Sequence, residues 1–236
     1  MSDMSLLISR FAFAVALGTI LVSCVPAGQR IDNIPMYGQP TIPRDERLRI
    51  ADEKFIKTAA ASYGSREAAS KAWFSQGQKF TNQGDLDYAM RRYNQSWLLN
   101  PQNYEPYWGF GRVMVAQEKY DQAIEYFEKA KTLIDDEYQK VALLSDTGVA
   151  YSAKASTLKD SEPNEAARYF TVANEHYQKS TTLDPNYSNS WLNWGWSLFY
   201  EGRYEEAWEK VKKAHSLGAP SALLMKTLIQ KMPELR

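Results

Sequence analysis

The stretch that decides the fold runs from Ser70 to Pro101 and reads SKAWFSQGQKFTNQGDLDYAMRRYNQSWLLNP. Its apolar residues recur at three- and four-residue steps on both sides of Asn82-Gln83-Gly84-Asp85. That period is typical of amphipathic helices, and the polar, glycine-containing tetrapeptide is typical of a turn. Pro101 ends the second helix, because proline cannot continue a helix. The stretch therefore predicts two antiparallel helices joined by a tight turn.

The same arrangement recurs along the chain, with new copies beginning at Tyr104 and Ser188 and a further copy between them. Each copy has a glycine on its first helix and an alanine on its second. Because a glycine inside a helix costs about 1 kcal/mol relative to alanine, these positions predict that the two backbones approach closely. The pairs are Gly77 with Ala89, Gly111 with Ala123, Gly148 with Ala173, and Gly195 with Ala207.

These copies resemble tetratricopeptide (TPR) repeats, whose pattern is W-x2-L-G-x2-Y, then A-x3-F, then P, on a period of about 34 residues. The resemblance covers about two-thirds of the chain. It implies an all-α fold, a superhelix of about four helical hairpins over residues 69–220. A terminal repeat has one uncovered apolar face, so capping helices are expected over residues 45–68 and 221–236.

The third copy is irregular. About thirteen extra residues separate Gly148 from Ala173, compared with the equivalent pairs of the other copies. We expect them to lengthen the helices around Ser156–Pro163. Such a connection can be without effect on function, or it can build an additional binding edge, and the sequence leaves both alternatives open.

The composition indicates a globular protein and argues against several functions. The 236 residues are 44% hydrophobic and include 28 basic and 28 acidic side chains, so no net charge favours nucleic acid. The chain has two histidines and one cysteine, and His176 and His215 lie on different predicted helices. No GxSxG, P-loop, HExxH or Rossmann motif occurs in the sequence. We therefore expect no enzyme activity, no catalytic residue and no metal site.

Residues 1–23 have the features of a secretory signal peptide. A short amino-terminal region ends at Arg10, and an apolar run from Phe11 to Val22 follows it. This run is shorter than the ~18 apolar residues of a membrane-spanning helix, and the small residue Ser23 closes it. An uncleaved anchor helix is the alternative interpretation.

The only cysteine of the chain follows this segment directly. Leu21-Val22-Ser23-Cys24 resembles the bacterial lipobox, in which the cysteine sulfur receives a diacylglycerol, the peptide is cut before it and the new amine is acylated. The resemblance implies that Cys24 is a lipidated mature N-terminus and that this covalent lipid is the only cofactor. Anchoring by more than one acyl chain is stable. In Gram-negative lipoproteins, an aspartate directly after the cysteine usually means retention in the inner membrane. This chain has Val25 there, which favours the outer membrane, with the protein facing the periplasm.

Residues 24–44 are predicted to be the lipidated cysteine followed by an extended tether. They contain Pro26, Pro35, Pro40 and Pro43 and show no helical period. Such a tether would hold a domain clear of the bilayer. The apolar stretch Asn33–Gly38 is expected to pack on the first helix, with a docking segment for a partner as the alternative.

The predicted binding surface is the concave face. TPR proteins that this chain resembles bind ligand segments through positions two, five, nine, twelve and thirteen of each first helix. Lys and Asn at positions five and nine would hold a C-terminal carboxylate, and this chain has other residues there. Burial is the alternative to ligand binding for three aromatic residues of this face. Trp108 would then be part of the core, and Trp196 and Phe199 would be covered by the C-terminal helix. The predicted protein-binding residues are Phe74, Gln78, Trp108, Arg112, Val149, Leu192, Trp196, Phe199 and Tyr200.

Two functional hypotheses follow from these observations. The first is a lipid-anchored adaptor of the bacterial cell envelope, whose concave face binds a protein or peptide segment and serves assembly or regulation of an envelope complex. Aromatic anchors in a groove suit such a peptide. The alternative is a self-associating structural scaffold, in which the aromatic end packs on another copy of the chain.

Overall fold

The computed structural model describes residues 30–232, and in this part of the chain the regular structure is helical. The α-helices follow one another with short connections. They are α1 (Glu46–Tyr63), α2 (Arg66–Asn82), α3 (Leu86–Leu99), α4 (Tyr104–Ala116), α5 (Tyr120–Leu133), α6 (Glu137–Leu158), α7 (Pro163–Leu183), α8 (Ser188–Glu201), α9 (Tyr204–Ser216) and α10 (Ala222–Lys231).

Helices α2 to α9 pack as four successive hairpins, each made of a first and a second helix. The first helix of each later hairpin also packs against the hairpin before it, as α4 does on α2 and α3 and as α8 does on α6 and α7. The protein is therefore all-α, and its hairpins build a TPR-like superhelix. The predicted fold class is confirmed.

Aromatic rings on the second helices fill the space left by glycines on the first. A Cβ atom on Gly77 would lie 2.4 Å from the ring of Tyr93, and one on Gly111 would lie 2.3 Å from the ring of Phe127. Both rings are fully buried. The sequence predicted that these glycines would meet alanines, whereas in these hairpins a ring lies closest. The ring needs that room, because protein cores are close-packed.

The third hairpin is longer than the others. Helices α6 and α7 have 22 and 21 residues, whereas those of the other three hairpins have 13 to 17. The extra residues around Ser156–Pro163 therefore extend both helices and place their connection beyond the turns of the neighbouring hairpins.

Residues 30–44 differ from the extended tether that the sequence predicted for residues 24–44. They form two short 3-10 turns, Ile31–Asn33 and Pro35–Gly38, which pack on α3, and Pro35 is buried. The expected packing of the apolar stretch on the first helix is therefore wrong as well. The cause is Asn94 of α3, whose buried amide binds backbone groups of the turns.

The ends of the array carry single helices. Helix α1 begins after Asp45, whose side chain accepts a hydrogen bond from the Leu48 amide, and it packs on α2 with Ala59 buried. Helix α10 packs on α9 and α8. The predicted signal peptide, Cys24 and residues 25–29 and 233–236 lie outside the described residues.

Candidate binding groove

Three adjoining cavities follow the first helices of the four hairpins. A cavity of about 560 Å³ lies between α6 and α8, one of about 430 Å³ spans α2, α4, α6 and α8, and one of about 100 Å³ lies between them. Asn193 lines both large cavities, Val149 joins the first to the small one, and Arg112 joins the small one to the second. We call this continuous surface the inner groove.

One half of the inner groove is polar and charged. The Trp108 Nε1–H donates a hydrogen bond to Asp146 Oδ2 at 2.7 Å, and Arg112 Nε lies 3.7 Å from the same oxygen. Burial raises the pKa of the Asp146 carboxyl, and the charge of Arg112 and the Trp108 hydrogen bond oppose that shift. The pair keeps about a third of its side-chain surface accessible, at 33% for Arg112 and 30% for Asp146. Both signs of charge are thus available to a ligand.

The polar contacts of this half follow a register between hairpins. Asp146 is one residue beyond Ser145 on α6, and it binds Trp108 of the preceding first helix. Asn193 is one residue beyond Leu192 on α8, and its Nδ2 donates to Ser145 Oγ at 3.1 Å. Trp108, Ser145 and Leu192 are the fifth-position residues of the second, third and fourth repeats. In both contacts the residue that follows the fifth position of one repeat binds the fifth-position residue of the repeat before it. The same register therefore joins the second hairpin to the third and the third to the fourth.

The other half of the inner groove is apolar and aromatic. Trp196 stacks on Tyr200 with ring centroids 5.9 Å apart and meets Phe199 edge-on at the same centroid separation. Tyr200 is 50% exposed, and Val149 and Ala153 of α6 line the opposite wall. Aromatic rings beside an open apolar cavity provide contact area at low cost in side-chain entropy.

The structure places the predicted binding residues in two environments. Gln78, Trp108 and Arg112 line the polar half, while Val149, Trp196 and Tyr200 line the apolar half. Three residues line none of the three cavities. Phe74 is 5% exposed and packs on Tyr93 and Trp108, and Leu192 and Phe199 are half-buried against the cluster that α8, α9 and α10 share.

Two alternatives that the sequence left open receive different answers. Trp108 is 5% exposed and belongs to the main core, so it meets the polar half of the groove with little more than its indole edge. Trp196 is half-buried: it packs on the cluster that α8, α9 and α10 share, and it also lines the large apolar cavity. The described residues of α10 line none of the three cavities, so this helix leaves the inner groove open.

Sequence reasoning missed Asp146 and Asn193. Both lie next to positions that the transferred pattern does name, and their side chains contact the preceding repeat. The available signal was a polar residue directly after the fifth position in the third and fourth copies. Tyr138, which is 76% exposed and lines the polar half, carries no such signal because it lies in the first turn of α6.

Chemistry outside the groove is sparse in the part that the structure describes. Among residues 30–232, no group of three histidine, cysteine or acidic side chains is placed to hold a metal ion. Within the same range, no helix has the length and apolar character needed to cross a bilayer. His176 is buried and stacks on Tyr151, with ring centroids 5.4 Å apart.

Comparison with solved structures supports the fold. TTC0263, a thermophilic TPR protein of Thermus thermophilus, matches with a TM-score of 0.61 and 19% identity over 69% of this chain and 82% of its own. The Cut9–Hcn1 heterotetramer of APC/C matches with a TM-score of 0.55 and 15% identity. That match covers 76% of this chain and 36% of the other. At these identities the likeness establishes the fold alone, and it is the fold of TPR proteins.

Two further comparisons gave no match. No protein-family model matches the chain. No curated protein matches it either. The residues of the inner groove and the amino-terminal sequence are therefore the features that bear on function.

Proposed function

We propose that the protein is an adaptor of the bacterial cell envelope, anchored by lipid at Cys24, that binds a peptide segment of a partner protein in its inner groove. The observation that carries the proposal is the continuity of the three cavities along all four hairpins. A groove of this length, apolar in one half and polar in the other, suits an extended chain better than a compact small molecule.

The chemistry of the groove defines the ligand. The apolar half, with Trp196 and Tyr200, takes an aromatic or branched aliphatic side chain as an anchor. The polar half offers the amides of Gln78, Asn189 and Asn193, which can donate to and accept from a peptide backbone. The ligand is thus a segment with an apolar anchor followed by polar residues, and it serves the assembly or regulation of an envelope complex.

The anchor part of the proposal rests on the amino-terminal sequence. The apolar run Phe11–Val22 and the motif Leu21-Val22-Ser23-Cys24 support a signal peptide and a lipidated cysteine. Val25 supports the outer membrane, with the groove in the periplasm. In this proposal the protein acts by binding and not by catalysis.

Peptides selected on the wild-type protein from a displayed library test the groove. Truncation of an aromatic anchor in a pocket costs about 2 kcal/mol, so Trp196→Ala should weaken a selected peptide at least about tenfold. Ala153→Arg places a long side chain in the same cavity and removes no buried contact, so it should have the same effect. Tyr63→Ala, at a position that is 44% exposed and lies at the end of α1 outside the groove, is the matched control. Unchanged affinity in both groove variants would refute the groove.

Radiolabelled palmitate tests the anchor. The label should enter the wild-type protein and not a Cys24→Ala variant expressed to the same level, because Cys24 is the only thiol of the chain. Equal labelling of the two proteins would remove the lipoprotein part of the proposal and leave the groove untouched.

The self-associating scaffold remains the second candidate, and one observation favours it. Ile50 on α1 and Leu223 on α10 are 58% and 67% exposed, and they lie on the helices that close the two ends of the array. Exposed apolar side chains at both ends would suit end-to-end stacking of copies. Light scattering that shows a monomer up to high micromolar concentration would argue against this candidate.

A further inference from the structure

A short segment before α1 is fixed to the outside of the first hairpin by one buried side chain. Asn94 of α3 is fully buried. Its Nδ2 donates hydrogen bonds to the backbone oxygens of Asp32 and Ile34, at 2.9 and 2.8 Å, and its Oδ1 accepts from the Tyr37 amide at 3.4 Å. Because a buried amide without partners costs about 1–3 kcal/mol, the segment is held where Asn94 can bind it.

The far end of the segment is held as well. The Arg44 guanidinium donates to both carboxylate oxygens of Asp52 on α1, at distances from 2.5 to 2.9 Å, and lies 4.5 Å from the ring centroid of Tyr37. The Arg44 side chain is 9% exposed, so this pair is largely shielded from solvent. The bidentate ion pair and the contact with Tyr37 therefore hold this end of the segment against α1.

The backbone between these two attachments is constrained. Met36 and Tyr37 have φ angles of 52° and 53°, in the left-handed region that non-glycine residues rarely adopt. Such conformations persist where the surroundings impose them. Met36 packs against the main core, which supplies that constraint. Residues 30–44 are thus part of the folded body.

This attachment shortens the connection to Cys24. Residues 25–29 alone separate Cys24 from Arg30, so the two Cα atoms lie at most about 20 Å apart. The tether predicted to run to residue 44 would have allowed roughly 65 Å. The point at which the chain joins the folded body is therefore set by the Asn94 contacts and not by the start of α1.

The surface at this junction has an amphipathic composition. Arg30 is exposed and forms an ion pair with Asp32, whose carboxylate also lies 3.4 Å from Arg91 Nε of α3. Tyr88 is 46% exposed, and the Arg91 guanidinium lies 4.7 Å from its ring centroid. Tyrosine and arginine combine an apolar body with a polar tip, which suits the boundary between lipid headgroups and water.

We propose that the surface formed by Arg30, Tyr88 and Arg91, on the outer side of the first hairpin, faces the phospholipid bilayer at close range. The proposal rests on the lipid at Cys24 and adds an orientation to it. The first hairpin is the membrane-proximal end of the array, and the carboxy-terminal helix α10 is not held there.

Energy transfer to the membrane tests this orientation in the full, lipidated protein. Since lipid occupies the only native cysteine, an added cysteine is a unique site for a donor dye. Asp87→Cys reports the first hairpin, and Leu223→Cys, at a position that is 67% exposed, reports α10. In vesicles that carry an acceptor dye on phosphatidylethanolamine headgroups, we expect stronger transfer from position 87 than from position 223.

A lengthened tether provides the second arm. A twenty-residue Gly-Ser insertion after Ala27 leaves residues 30–232 unchanged and raises the reach of the tether to roughly 85 Å. The transfer from position 87 should then fall. Equal transfer from positions 87 and 223 in the parent protein, or no fall after the insertion, would overturn the proposal while leaving the anchor in place. Failure of the parent protein to float with vesicles would overturn the anchor and this proposal together.

Discussion

The second and fourth hairpins follow the same sequence pattern and present different inner faces. In the second hairpin, Trp108 is 5% exposed, and its indole nitrogen is bound by Asp146 of the next first helix. In the fourth, Trp196 is half-buried and Tyr200 is 50% exposed beside an open cavity.

The difference arises from the elements that pack on each first helix, which are its own second helix and the helix that follows the hairpin. Gly111 of the second hairpin lies against the ring of Phe127, whereas the equivalent residue of the fourth hairpin is the smaller Val211. Gly195 lies against Leu224 of α10 instead. The repeat pattern therefore determines the path of the backbone. Whether an inner face stays open depends on the neighbouring repeat.

The largest expected effect comes from filling the glycine of the second hairpin. In Gly111→Ala the new Cβ would lie 2.3 Å from the ring of Phe127, which is fully buried. We expect the free energy of unfolding to fall by about 3 kcal/mol, because overpacking of a core is costly. Urea unfolding followed by circular dichroism measures the change.

Gly195→Ala is the matched control in the fourth hairpin. Its Cβ would lie 3.1 Å from a methyl carbon of Leu224, on a short helix at the end of the array. A small shift of that helix relieves the contact, and the change from glycine to alanine gains about 1 kcal/mol in helix propensity. We expect a change within about 1 kcal/mol of zero. Equal destabilisation by the two substitutions would show that the hairpins are packed alike.

The third hairpin, which lies between them, should respond to acid. Burial, together with the charges of Lys131 and Lys179, lowers the pKa of His176 from 6.5 to about 3. Below pH 6.5 the unfolded chain therefore binds a proton that the folded chain does not, so stability falls as the pH drops towards 3. We expect a loss of about 1.4 kcal/mol between pH 7.5 and 5.5.

His176→Gln isolates this contribution from that of other groups. Glutamine keeps much of the polar volume and does not titrate, so the variant should lose less stability than the wild type over the same pH interval. Urea unfolding at pH 7.5 and 5.5 gives the comparison. Parallel pH dependence in the two proteins would contradict the buried, neutral histidine.

The smallest expected effect concerns the turns of the two hairpins. Glu118 of the second hairpin has a φ angle of 60°, at the place where the fourth hairpin has Gly202 with φ 95°. An L-residue in the left-handed region costs about 1 kcal/mol relative to glycine. Glu118→Gly should therefore raise the free energy of unfolding by about that amount, and Gly202→Ala should lower it. Thermal unfolding of both variants checks the signs.

Much of the fold was predictable because its determinants are local. The glycine of Gly84-Asp85, the proline of Asn100-Pro101 and the periodic apolar residues between them define hairpin ends by short-range rules. The packing of residues 30–44 was not predictable, because it depends on Asn94. In the sequence Asn94 is an ordinary polar residue of a helix, and its partners are backbone groups of a segment distant in sequence.

The candidate groove was predictable in part through the resemblance to TPR proteins. Gln78, Arg112 and Trp196 hold the ninth position of their first helices, a position that the resemblance assigns to the concave face, and the structure places each of them along the groove. Phe74, transferred at the fifth position of its first helix, lies in the core instead, because Tyr93 and Trp108 pack against it. Contacts between repeats, which also bring in Asp146, cannot be derived from the pattern of a single repeat.

The attachment of residues 30–38 to Asn94 has a consequence for where the domain begins. The repeats start with α2, and the helical part starts with α1, yet the acceptors for a fully buried amide belong to Asp32 and Ile34. A fragment that began at Asp45 would contain every repeat and would lack the contacts between this segment and α3. The folded body thus includes residues that precede both the repeats and α1.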